Sequence, residues 1–211
     1  MTTQFDLGAL GWRILPLGGA SGIGKSTVAM RLGQRLGVPW LQVDDFRLEF
    51  ERSGVPSPDS ALAPNFDGPG SLVEVGTSLS SAIEVVIENH VDQRNPAVFE
   101  GDGILPALLE CPSVRHRAES GWVRVIFLYE PEERVIHQNM QTRMAGRIDT
   151  AHARKNWQYS EWLRREAERR DLPTLPVRPW DTLEDRILAA AQASLILRAA
   201  FHSPHAPGDR L

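Results

Sequence analysis

The 211-residue chain sets 23 Lys and Arg against 27 Asp and Glu, a formal net charge of −4, with 42% hydrophobic residues. That balance supplies no chain-wide basic field for nucleic acid, while the apolar share is enough for a full core. A single cysteine, Cys111, excludes an internal disulfide and fits a reducing compartment, and no apolar run approaches the ~18 residues of a membrane span.

The length predicts one domain over 1–201, with a lid near 138–156. The first residues lack a signal-peptide pattern, so a cytoplasmic protein is expected. Residues 202–211 carry two prolines and a glycine and read as a frayed tail.

Trp12 to Leu17 predicts the first strand. Pro16 is awkward there, because a central strand needs its N–H groups, but a place at the strand's end is tolerable. Next comes Gly18-Gly19-Ala20-Ser21-Gly22-Ile23-Gly24-Lys25-Ser26-Thr27. Gly19, Gly24, Lys25 and Ser26 satisfy G-x-x-x-x-G-K-[ST] without a mismatch. Glycines let the backbone wrap phosphate oxygens, and the following helix N-terminus adds partial positive charge. Residues 19–27 are therefore expected to hold a nucleoside triphosphate. Lys25 would reach the β- and γ-phosphates, and Ser26 would hold Mg²⁺.

A helix to Leu36 follows, with Val28, Ala29, Leu32 and Leu36 on one face and Gly37 ending it. Trp40 to Val43 is a short second strand running into Asp44-Asp45-Phe46-Arg47 and a short helix. Residues 53–70 hold four prolines and three glycines and predict a long, functional loop. Leu72 to Ile87 has the spacing of an amphipathic helix.

Pro96 to Asp102 predicts strand three and its exit turn, and Pro106 opens a short helix. Val123 to Leu128 predicts strand four. Helices are expected from Pro131 towards Arg147 and from Ala151 to Arg170. Leu175 to Val177 is a weak fifth strand, and Asp181 or Thr182 caps a last helix. Strands alternating with helices predict a parallel sheet covered on both faces, with ligands at the strands' carboxyl edge. The loop at 18–26, Asp44–Asp45 and Glu100–Asp102 all fall on that edge.

Chemistry-bearing residues gather there. Transfer to a hydroxyl needs a carboxylate near the acceptor, and Asp44 or Asp45 can supply it. Arg47, three residues on, can grip an anionic group on the acceptor. Glu100 can orient a Mg²⁺-bound water and Asp102 can do the same, or either can contact the acceptor. Arg143 and Arg147 are four apart, on one helical face, and suit charge neutralisation at the γ-phosphate. Trp157, Tyr159 and Trp162 are expected in the core, with an acceptor pocket as the other reading. The histidines show no metal-ligand spacing.

The loop at 19–26 resembles the Walker A motif of P-loop NTPases. Walker A followed by a strand ending Asp44-Asp45-Phe46 resembles the uridine kinase pattern. With Arg47 added it is similar to the 5′-polynucleotide kinase pattern. Glu100-Gly101 and Pro106 are similar to the Glu-Gly-x-x-x-x-Pro stretch of 2-phosphoglycerate kinase-like proteins, and the Arg143/Arg147 run resembles the lid of adenylate kinase-like enzymes. These resemblances imply a three-layer α/β P-loop fold, five parallel strands with helices on both faces and a small helical lid. They also imply Asp44 as base, Arg47 on an acceptor phosphate, and Arg178 in a turn along the adenine. The expected function is an ATP- and Mg²⁺-dependent kinase for a hydroxyl of a small metabolite, nucleoside or phosphorylated acid. The alternatives are an ATPase or regulatory nucleotide-binding module, or a kinase for nucleic acid 5′ ends or an antibiotic. No membrane partner is expected, a nucleic acid partner is disfavoured by the charge, and monomer and homodimer both remain open.

Overall fold

The computed structural model describes residues 11–53, 70–143, 145 and 150–201. Most of the expected loop at 53–70, the lid positions Gly146 and Arg147, and the tail at 202–211 lie outside the described residues.

Five strands form one sheet: β1 (Ile14–Gly18), β2 (Trp40–Gln42), β3 (Ala97–Gly101), β4 (Ile126–Tyr129) and β5 (Thr174–Pro176). All pairs are parallel, in the order β2-β3-β1-β4-β5. The helices are α1 (Lys25–Leu36), α2 (Asp44–Ser53), α3 (Gly70–Asp92), α4 (Pro112–Glu119), α5 (Glu133–Arg143), α6 (Thr150–Glu168) and α7 (Leu183–Phe201). Short 3₁₀ turns at Pro106–Glu110 and Trp180–Thr182 precede α4 and α7. The three-layer α/β expectation holds.

Successive strand residues feed two cores. Leu15, Leu17, Val98, Ile126 and Leu128 pack with Val28 and Leu32 of α1 and Ile187 of α7. Ile14, Ala97, Phe99 and Phe127 point the other way, onto Leu79, Ile83 and Ile87 of α3 and Leu163 of α6. Each such side chain, fully buried, stabilises the fold by roughly 1.5–3 kcal/mol. Burial on both faces is why these strands read as continuous apolar runs rather than alternating ones.

Some boundaries differ from expectation. The helix opened by Pro106 is a 3₁₀ turn that hands over to α4. Strand four starts at Ile126, with Val123 making only an isolated bridge to Ile14. Pro16 explains the gap. It sits in the middle of β1, not at its end. Ile14 donates to Trp122 O and accepts from Arg124 N, so Ile14 and, two residues on, Pro16 face β4. Pro16 has no N–H to give there, and the regular β1–β4 ladder begins only at Leu17↔Ile126.

The connection after β1 leads to β2 at one end of the sheet, and that after β3 leads to β4 on the other side of β1. β1 and β3 are neighbours, with Leu17 level with Glu100 and Gly18 with Gly101. The crevice beyond their carboxyl ends is therefore the topological switch point, where doubly wound sheets bind ligands. Among the described residues no helix is long and apolar enough to cross a membrane.

Candidate active site at the sheet's carboxyl edge

The glycine loop leaves β1 at the switch point and enters α1 at Lys25. Ala20 and Ile23 turn their side chains into the two cores, so they can offer a ligand only backbone. Gly24 occupies the N-cap of α1 at φ 93° and has no side chain to cap the helix. The first N–H groups of α1 are thus left for an outside acceptor at the positive end of a 12-residue helix. Gly24 also lies against the Trp180 ring, whose Cη2 would be 2.5 Å from a Cβ at that position. Helix α5 braces the loop from the side: Asn139 Nδ2 donates to Gly22 O at 2.8 Å, and Met140 packs onto Gly22. The strand order, the mismatch-free loop and the uncapped helix behind it decide the architecture. This is a P-loop NTPase fold.

Gly24→Ala in this P-loop is expected to destabilise the protein by roughly 2 kcal/mol, from the left-handed φ and the ring collision together. Thermal melts of Gly24→Ala and of Gly24→Ala/Trp180→Ala check this, because the second variant relieves the ring and keeps the backbone strain. Equal stability of Gly24→Ala and wild type would refute the expectation.

Lys25 is buried, and its ammonium donates to Ala20 O at 2.9 Å and pairs with Asp102 Oδ1 at 2.5 Å. Burial pulls its pKa down, but the carboxylates of Asp102, Glu100 and Asp44 more than offset that and leave it above 10.5. Glu100 is buried at the end of β3 and accepts a hydrogen bond from Ser26. Burial raises the Glu100 pKa above 4.5 against the pull of Lys25, the Ser26 bond and the charge of Arg143. Asp44 opens α2 as the chain leaves β2 through Val43, whose N–H bonds Glu100 O at 2.8 Å. Its carboxylate lies against Gly101, with Oδ1 3.4 Å from where a Cβ would stand. Burial first, then Asp102 and Glu100, raise the Asp44 carboxyl to about 6, with Lys25 and Arg47 opposing.

The P-loop thus shares one buried ammonium among three carboxylates from two neighbouring strand exits. The structure brings Lys25, Ser26, Asp44, Glu100 and Asp102 together, and the charges of Arg47 and Arg143 reach Asp44 and Glu100. Asp45 is exposed beside Asp44, and Thr27 is exposed on the first turn of α1. Arg178, on the loop after β5, has its Nε 3.6 Å from the Glu130 carboxylate.

Sequence reasoning missed several members. The Lys25–Asp102 pair joins residues 77 apart, which no local spacing reveals. The contacts of Trp180 and Asn139 with the loop likewise join distant parts of the chain and leave no local signal. Tyr159 is in the core as expected, yet its hydroxyl reaches Asp102 O at 2.6 Å.

No protein-family model matches the chain, and no curated protein matches it. Solved structures with a similar layout include a gluconokinase from Sinorhizobium meliloti 1021, at 22% identity and a TM-score of 0.48 over 92% of this chain and 98% of that one. A shikimate kinase from Acinetobacter baumannii in complex with shikimate aligns at 19% identity and a TM-score of 0.41, over 92% and 96%. A sugar kinase from Janibacter sp. HTCC2649 aligns at 17% and 0.47, over 90% and 97%.

Proposed function

We propose that this protein is a kinase that moves the γ-phosphoryl group of ATP to a hydroxyl of a small acceptor. The observation that carries the reading is Asp44, a carboxyl lifted to about 6 at the exit of β2, facing the P-loop lysine cluster. A carboxyl near that value is ionised at neutral pH yet basic enough to take a proton, as a general base should be. An ATPase needs no such group at the next strand's exit.

In this mechanism Lys25 and the loop amides hold the β- and γ-phosphates. Asp44 accepts the acceptor's hydroxyl proton as the new O–P bond forms in line with the breaking bond to the β–γ bridging oxygen, and ADP leaves. Arg143 neutralises charge on the transferring group, and Arg147 is proposed to join it from the lid. Arg47 and Asp45 are assigned to the acceptor side, with Arg47 suited to an anionic substituent. The turn around Arg178 is assigned to the nucleotide base, and the close approach of the Trp180 ring to Gly24 of the loop supports that placement.

Mg²⁺ fits the donor set. The Ser26 hydroxyl and the Glu100 carboxylate are already hydrogen-bonded partners, and Mg²⁺ takes few protein oxygens beside phosphate and water. When bound it would offset phosphate charge.

The Ser26–Glu100 bond also favours a second reading, an ATPase in which Glu100 orients water. A screen of hydroxyl acceptors with ATP separates the two. Turnover that requires one acceptor supports the kinase. Acceptor-independent hydrolysis that is lost in Glu100→Gln and persists in Asp44→Asn would establish the ATPase instead.

A further inference from the structure

Tyr159 lies in the middle of α6, fully buried, with its ring stacked on Trp162 at 5.9 Å between centroids and 9° between planes. A buried phenol needs a partner for its hydroxyl. This one donates to the main-chain oxygen of Asp102 at 2.6 Å. The carboxylate of the same residue holds Lys25 Nζ at 2.5 Å. Asp102 is therefore gripped at both ends, by Tyr159 at its backbone and by the P-loop lysine at its side chain.

An ammonium has three donors. Two of those on Lys25 are spent inside the protein, on Ala20 O and Asp102. Phosphate oxygens entering the loop must compete with Asp102 for the charge they need.

We propose that Asp102 is the resting counter-ion of Lys25, displaced by nucleotide phosphates, and that Tyr159 positions its main chain so the released carboxylate stays beside Asp44 and faces the acceptor. This rests on the nucleotide-binding reading above. Tyr159 acts through Asp102 and is a positioning residue. Binding is then ordered, nucleotide before acceptor, because one acceptor-side carboxylate is tied to the lysine until phosphate takes it.

Titration calorimetry of the full chain with ATP in EDTA tests this, with no acceptor and no turnover required. Asp102→Asn should bind metal-free ATP about tenfold tighter than wild type, since a competing charge is gone. Tyr159→Phe should bind about threefold tighter, because a loosened turn holds the carboxylate less well against the lysine. Damage to the fold alone would weaken binding, so the gain is diagnostic. Lys25→Met reports on the site itself and should abolish binding. Unchanged or weaker binding by Asp102→Asn, with Lys25→Met still abolishing it, overturns the counter-ion role and leaves the nucleotide site standing. A wild type that takes up no ATP overturns both. Should Asp102→Asn fail to fold, Tyr159→Phe decides, and unchanged or weaker binding by it overturns the proposal.

Discussion

Asp44→Asn is expected to lower kcat by about 10²–10⁴-fold, the usual contribution of a positioned general base. The affinity for ATP should stay within a few-fold of wild type, because Asp44 faces the acceptor side of the cluster. Wild-type activity should also fall as pH drops through about 6, where Asp44 takes up its proton. A second effect runs the other way. The carboxyl titrates from 3.8 in the unfolded chain to about 6 in the fold, so the folded state binds the proton more tightly. Its stabilising contribution is present below about pH 4 and is lost as pH rises towards 6. Above that the ionised carboxylate costs on the order of 2–3 kcal/mol. Asn carries no charge, so the variant should melt roughly 5 °C above wild type at pH 8, with the gap closing below pH 4. Melting curves and acceptor-dependent rates across pH 4–8 check both halves. A variant that is slower but no more stable would show that the carboxylate is not strained. A variant as fast as wild type would remove Asp44 from the chemistry.

The opposite signs of those two effects show which parts of this site were legible in the sequence. Gly19 to Ser26 and the strand exits at Asp44 and Glu100 are local patterns, and two-faced burial makes the central strands plain apolar runs. What one residue does to a distant one was not legible. Pro16 was visible as an anomaly, but its consequence appears across the sheet, where β4 starts three residues later than Val123 promised. Helix α4 was missed because only Val114 and Ala118 anchor it, too few apolar positions to set a period. The Asp102 carboxylate was recognisable as a candidate, yet its partner could have been metal, acceptor or lysine. Only the register of β1 against β3, which sets Gly18 level with Gly101, turns it towards Lys25.

Lys25 is where that long-range electrostatics can be tested most severely. Lys25→Met keeps the length of the buried stem and removes the charge. ATP binding should be lost and turnover should fall by more than about 10³-fold, since phosphate positioning and charge neutralisation both depend on this ammonium. The stability change should depend on pH. Lys25 lowers the pKa of both Asp44 and Glu100 and pairs with Asp102. Without it the Asp44 and Glu100 carboxyls move further up, and at pH 8 their charges are left without the ammonium that offsets them. Breaking a buried pair by removing one partner costs about 3–5 kcal/mol, and that loss should be near full at pH 8. Raised carboxyls recover stability as they protonate, so the loss should shrink towards pH 5. Adding Asp102→Asn to Lys25→Met should restore part of the stability at pH 8 and none of the ATP binding. That non-additivity is the signature of a direct pair. A Lys25→Met variant equally destabilised at pH 5 and pH 8, with no restoration by Asp102→Asn, would mean the buried stem matters for packing alone. The three carboxylates would then owe their arrangement to something other than the P-loop lysine.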